Sequence, residues 1–137
     1  AQPEVLRALQ GRPISRVGGD RDIEVDVRVT AATNKDLRRE IERGNFREDL
    51  YHRIGVIVVH VPALREHATD IPLLVDHFLR TIAGEYGTAP KEIDAEAVAA
   101  LQRMRWTGNV RELRNAVERL TVLSGERITA EDVRLYC

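Results

Sequence analysis

Ile23-Glu24-Val25-Asp26-Val27-Arg28-Val29-Thr30-Ala31-Ala32 alternates apolar, mostly β-branched residues with polar ones, then runs into Thr33-Asn34. Period-2 alternation of that composition predicts a strand with one face buried. A helix is expected next, with Leu37 and Ile41 on one face and Gly44 just past its end. Phe46 to Arg53 reads as a short helix or turns. Val56 to Val61 is a β-branched run closed by Pro62, the pattern of a strand buried on both faces. Strand, helix, strand in this order points to an α/β layer. Upstream, Val5, Leu6 and Leu9 mark a short amphipathic helix. Gly11, Pro13, Gly18 and Gly19 then punctuate a loop with an extended piece at Ile14 to Val17. The abrupt opening reads as a chain entered in the middle of a domain.

Beyond Pro62 no further strand pattern is visible and three helices are expected. The first starts near Asp70 and Pro72 and carries Leu74, Val75, Phe78, Ile82 and Tyr86 on one face. The second has Asp94 as N-cap and Val98, Leu101 and Met104 as its stripe. The third starts at Asn109, with Glu112 three residues on as a capping-box-like pair, and carries Val110, Leu113, Val117 and Leu120. A last turn or short helix is capped by Thr129, with Asp132 following. The expected organisation is a partial α/β layer over residues 1–68 and an all-helical unit over residues 69–137, the latter with the more convincing core.

Composition removes several classes of function. The formal net charge is −1, and Arg residues are interspersed with Asp and Glu, so no phosphate-tracking stripe stands out. The single cysteine, Cys137, rules out an internal disulfide and any CxxC site, and suits a reducing cytosol. No apolar run is long enough to span a membrane. His52, His60, His67 and His77 lack metal-ligand spacing, so no metal site is expected within these residues. Ser15 and Ser124 lie in no nucleophile-elbow context.

Three places could carry chemistry. Asn34, at the end of the expected strand, can address a ligand outside the sheet edge; alternatively Asn34 or Asp36 caps the following helix, which by itself is the better-supported reading. Arg47 and Arg53 flank Glu48 and Asp49, so surface ion pairs account for them more readily than a phosphate does. In Trp106-Thr107-Gly108-Asn109-Val110-Arg111-Glu112-Leu113, capping explains Asn109 and Glu112, and packing explains Trp106. Arg111 is harder to account for. A cation in the first turn of a helix opposes the macrodipole by up to about 1 kcal/mol, which suggests an anionic partner, either Glu112 or a ligand.

Taken together, these segments resemble the central ATPase domain of bacterial sigma-54-dependent transcription activators. The resemblance rests on Val5–Gln10 with Arg16-Val17-Gly18-Gly19, Val25–Val29 with Ala31–Asn34, Phe46–Arg53, Val61–Glu66 with Asp70–Leu74, and Trp106–Asn115, in the family's order. Thr107 stands where the family usually has Pro, and Gly55 where Asn is common. The resemblance implies part of an AAA+ P-loop NTPase core, holding the sensor I and final core strands, followed by a helical lid. It places Asn34 at sensor I, Arg47 and Arg53 at the trans-acting arginine fingers and Arg111 at sensor II.

By the same resemblance, the complete domain uses ATP and Mg in a ring of six or seven protomers to remodel sigma-54 RNA polymerase. Neither a GxxxxGK[ST] P-loop nor the family's GAFTGA sigma-contacting loop occurs in the 137 residues, and no DNA-binding helix-turn-helix follows. The expectation is a fragment that binds no nucleotide tightly, lacks ATPase activity alone, and reaches sigma-54 and DNA only through parts outside it. In the AAA+ fold the P-loop strand lies between the sensor I and final core strands. Without it, the two strands are expected to pair abnormally, pair between chains or order poorly while the lid keeps its fold. Two other readings remain: a stand-alone helical interaction or DNA-binding module, and a degenerate paralogue acting without catalysis.

Overall fold

The structure, a computed structural model, describes residues 2–9, 14–15, 22–23 and 28–137. It divides into two compact units, Ala1–His60 and Val61–Cys137.

In the first unit, α1 (Gln2–Leu9) packs against α3 (Glu48–Ile54), and β1 (Ile14–Ser15) pairs antiparallel with β2 (Asp22–Ile23). Between β2 and α3 lies α2 (Leu37–Glu42), capped by Asp36, whose carboxylate accepts the N–H groups of Arg38 and Arg39 at 3.1 and 3.4 Å. Asp36, not Asn34, is therefore the cap. Gly44 follows the helix with φ 74°, the left-handed geometry that suits glycine.

The strand expected over Ile23–Ala32 is only partly testable: residues 24–27 lie outside the described residues, and 28–33 carry no ladder. The strand expected at Val56–Val61 does not form. Val56, Ile57, Val58, Val59 and Val61 are 74–82% exposed. A buried strand needs both a ladder on its edges and cover on its faces, and among the described residues nothing supplies either to the run.

The second unit builds its own core. Leu64–Asp70 forms 3-10 turns broken at His67 and leads into α4 (Ile71–Tyr86), with Pro72 in the first turn and Gly87 at φ 67° closing the last. Then come β3 (Glu92–Ile93), α5 (Ala95–Gln102), α6 (Asn109–Leu123), β4 (Arg127–Ile128) and α7 (Ala130–Tyr136). Ile71, Val75, Ile82, Leu101, Leu113, Val117, Leu120 and Ile128 are essentially removed from water, so most of the stripes expected from the 3.6-residue period face one another, although Val110, expected on the α6 stripe, is exposed. Tyr86 instead lies at the surface, its hydroxyl donating to Glu118 at 3.0 Å.

Polar features hold the ends of these helices. Thr129 and Asp132 form a full capping box at α7, as expected. Asp94 occupies the N-cap of α5 but makes no side-chain cap; its carboxylate pairs with Arg127 at 2.9 Å. Lys91 Nζ donates to the carbonyls of Thr121 (2.7 Å) and Ser124 (2.9 Å), satisfying orphan acceptors at the end of α6. The unit is mostly helical, as expected, and adds one small element the sequence did not signal, the parallel β3–β4 pair, with Glu92 opposite Arg127 and Ile93 opposite Ile128. Two residues per strand are too few to leave a periodic signal.

The two units differ in what a substitution should do to the second. Leu120→Ala should cost it about 2–5 kcal/mol, because it removes three carbons from a closed core and leaves a cavity. Val58→Asp, in the exposed run, should change that unit's stability by less than about 0.5 kcal/mol. Chemical denaturation followed by circular dichroism checks both; a large loss with Val58→Asp would mean that the run is covered.

Candidate nucleotide-responsive residues

In the first unit the relevant side chains cluster around α3. Gln2 ties the start of α1 to the loop before α3: its Nε2 donates to the carbonyl of Asn45, and its Oε1 accepts the N–H of Arg47, both at 3.0 Å. Leu50 is buried and anchors α3. Arg47 occupies the N-cap of α3 and grips Asp49 in a two-pronged contact, Nε–Oδ1 3.0 Å and Nη2–Oδ2 2.7 Å. The hydrogen bond from Arg47 holds the Asp49 carboxyl below its ordinary 3.8.

Arg53 lies in the last turn of α3, where Nε and Nη2 both donate to the carbonyl of Leu9 at 3.1 and 2.8 Å. That carbonyl ends α1 and has no partner within its own helix, so Arg53 serves as its C-terminal cap. Gly55 closes α3, and a Cβ there would meet the Tyr51 carbonyl oxygen at 2.9 Å, so a larger residue requires the turn to shift. Asn34 lies exposed in a bend before α2, without a side-chain hydrogen bond.

The fourth residue, Arg111, stands in the first turn of α6 in the second unit. The turn before it is unusual. Trp106 and Asn109 have φ of 40° and 54°, a region that few residues other than glycine enter. Trp106 is 3% exposed, and its Nε1 donates to the Leu101 carbonyl at 2.8 Å, so burial holds the strained residue in place. The Gly108 N–H donates to Glu112 Oε2 at 2.7 Å, and a Cβ at Gly108 would meet Glu112 Cβ at 2.9 Å.

The expected Asn109–Glu112 capping pair does not form: Gly108 is the N-cap, Glu112 accepts from Gly108, and the Asn109 N–H donates to the Trp106 carbonyl. The Asn109 side chain does not cap α6; its Oδ1 accepts the N–H of Leu64 at 2.9 Å. Sequence reasoning missed that partner because it lies 45 residues away.

Glu112 accepts the N–H of Gly108, and no ion pair or hydrogen bond joins it to Arg111 among the described residues. Of the three arginines on α6, Arg114 pairs with Glu85 and Glu118, and Arg119 donates to the Tyr136 carbonyl. Arg111 is exposed, and among the described residues it has no hydrogen-bond or ion-pair partner. Among the same residues no group of His, Cys, Asp or Glu is arranged to hold a metal ion, and no helix is long and apolar enough to cross a membrane.

Residues 65–137 match the family model of the AAA+ ATPase lid domain, which defines the second unit as such a lid. Residues 1–60 match the sigma-54 interaction domain. The chain therefore belongs to the AAA+ ATPase domains of sigma-54-dependent transcriptional activators. It is 45% identical to the transcriptional regulatory protein ZraR of Salmonella typhimurium, over 98% of this chain and 31% of that protein. To XylR of Pseudomonas putida it is 47% identical, over 97% and 24%. The crystal structure of NtrX from Brucella abortus in complex with ADP superimposes with a TM-score of 0.89 at 43% identity, covering 96% of this chain and 31% of that one. The same protein in complex with ATP gives 0.88 at 43% identity, over 96% and 32%. The chain thus spans less than a third of the length of these relatives.

Because folding depresses Asp49, the stability this carboxylate contributes is present above pH 3.8 and is lost as pH falls through its lowered midpoint. A carboxyl-detected NMR titration should find that midpoint below 3.8, and Arg47→Gln should raise it towards the ordinary value. A midpoint indifferent to Arg47→Gln would show that the pair does not persist in solution.

Proposed function

We propose that this chain supplies the nucleotide-responsive half of an ATPase whose complete domain hydrolyses ATP, with Mg, in a ring of six or seven protomers. The work of that ring is to remodel sigma-54 RNA polymerase in the bacterial cytoplasm so that the promoter opens. The observation that carries the reading is Arg111, an exposed cation with no partner among the described residues, in the first turn of α6, where the helix field disfavours it. An anionic phosphate turns that cost into a gain, and a guanidinium offers planar paired donors to it.

Arg47 and Arg53 are assigned to the ATP of a neighbouring protomer. Both are engaged within their own unit, yet neither contact is strong enough to exclude this role. The Arg47–Asp49 pair is exposed, and exposed pairs contribute about 0–1 kcal/mol. Arg53 meets a neutral carbonyl, which leaves its charge uncompensated. Asn34, exposed and free of side-chain bonds, is assigned to orienting the attacking water or sensing the γ-phosphate. Phosphoryl transfer needs positioning and charge neutralisation more than covalent chemistry, which is what one amide and three guanidinium groups provide. The residues present fit the outer phosphate contacts and not the cradle of the nucleotide, since the sequence contains no P-loop. The 137 residues alone are accordingly assigned no turnover.

A DNA-binding role for α6 draws no support from the structure, because Arg114 and Arg119 are tied to partners within the lid.

In the complete ATPase, Arg111→Ala should lower kcat/KM for ATP about 10–100-fold, the scale of one lost charge-assisted contact. Arg47→Ala and Arg53→Ala should each lower kcat by about 10³-fold or more. Mixing Arg53→Ala protomers with protomers whose P-loop lysine is replaced should restore part of the turnover, since each kind supplies what the other lacks. Unchanged hydrolysis in Arg111→Ala, or no restoration on mixing, would defeat the corresponding assignment.

A further inference from the structure

The residue two positions before Arg111 has no role in the reading above. Asn109 is exposed, yet it is doubly committed. Its backbone is left-handed, with φ 54° and its N–H donating to the Trp106 carbonyl at 2.9 Å. Its Oδ1 accepts the N–H of Leu64, 2.9 Å away. Leu64 is itself buried in the lid core and opens the 3-10 stretch near the point where the chain enters this unit. The Leu64 amide begins that stretch and has no acceptor inside it, so without Asn109 it would lack one.

We infer that Asn109 is a positioning residue for Arg111: its side chain fixes the start of α6 to the entry segment at Leu64, and so fixes where the Arg111 guanidinium is presented. This rests on the assignment of Arg111 to bound nucleotide. The geometry supports it in three ways. Asn109 stands one residue inside the N-cap, Gly108, whose N–H is already satisfied by the Glu112 carboxylate, so its side chain is free to bond Leu64. Trp106, buried and bonded to Leu101, holds the other end of the turn. Among the described residues Arg111 has no tether of its own, so its location is set by the backbone that Asn109 and Trp106 hold.

Two variants separate the side-chain bond from the backbone requirement. Asn109→Gly keeps access to positive φ and removes the acceptor. Asn109→Asp keeps both. In the 137-residue chain, Asn109→Gly should speed hydrogen exchange at the Leu64 amide about 10-fold or more while amides in the middle of α6 are unchanged. Asn109→Asp should hold Leu64 within about threefold of the parent. Loss of protection in Asn109→Asp, or retained protection in Asn109→Gly, overturns the bond.

In the complete ATPase, Asn109→Gly should raise KM for ATP about 3–10-fold with kcat within about twofold, the scale of one hydrogen bond. In an Arg111→Ala background the same change should add less than about twofold, because the two residues act through one contact. Full multiplication of the two effects overturns the positioning role and leaves the Arg111 assignment standing. If Arg111→Ala has no effect at all, the nucleotide assignment falls and this inference falls with it.

Discussion

The contact between α4 and α6 is the interaction on which the rest of the lid depends. Ile71, Val75 and Ile82 from one helix and Leu113, Val117 and Leu120 from the other are closed to water, and α5, α7 and the β3–β4 pair close the same core through Leu101, Val133 and Ile128. Burying a large aliphatic side chain is worth about 1.5–3 kcal/mol, so this cluster outweighs any single surface pair in the molecule. The polar bonds are consequences of that packing. Lys91 reaches the end of α6 because β3 lies beside β4, and Arg114 meets Glu85 because α4 lies beside α6. Each has a partner only because the helices are already in place.

The first unit is organised differently. Leu50 is its one fully buried large side chain among the described residues, and polar bonds from Gln2 and Arg53 bind α1 to α3. The β-branched run Val56–Val61 lies exposed. A β-branched run of this kind gains nothing by staying in water; its composition makes sense only for a layer with a strand on each side and cover on both faces. Sequence and environment therefore disagree at this run, and the disagreement has the form expected of a sheet strand without cover.

Features set by short-range chemistry were legible in the sequence. Thr129 with Asp132, Asp36 before α2, Pro72 in a first turn and Gly44 after a helix all act within four residues of themselves, and the structure has each of them in place. Helix stripes were legible because burial repeats with the helical period. Features set at long range were not. The β3–β4 pair joins residues 35 apart, from Glu92 to Arg127, through strands of two residues. The partners of Asn109 and Lys91 lie 45 and about 30 residues away, so their side chains looked like a cap and an ordinary surface cation. Asp94 was placed correctly as a boundary residue and wrongly as a side-chain cap, because Arg127 offered its carboxylate a charged partner.

The same distinction sorts the four candidate site residues. Arg47 finds an acid two residues away, which the sequence allowed for, and Arg53 finds the end of α1, which it did not. Asn34 and Arg111 find nothing among the described residues. A cation left without a partner on a helix start would ordinarily be replaced at no cost to the fold, since neither packing nor capping uses it. Here the surrounding turn is instead over-built: a buried tryptophan in a left-handed conformation, a glycine that admits no Cβ without a shift, and an asparagine bonded 45 residues back along the chain. Strain of about 1–3 kcal/mol per such residue persists only where the surroundings impose it. The α4–α6 core imposes it at this turn, and what the turn presents to solvent is Arg111.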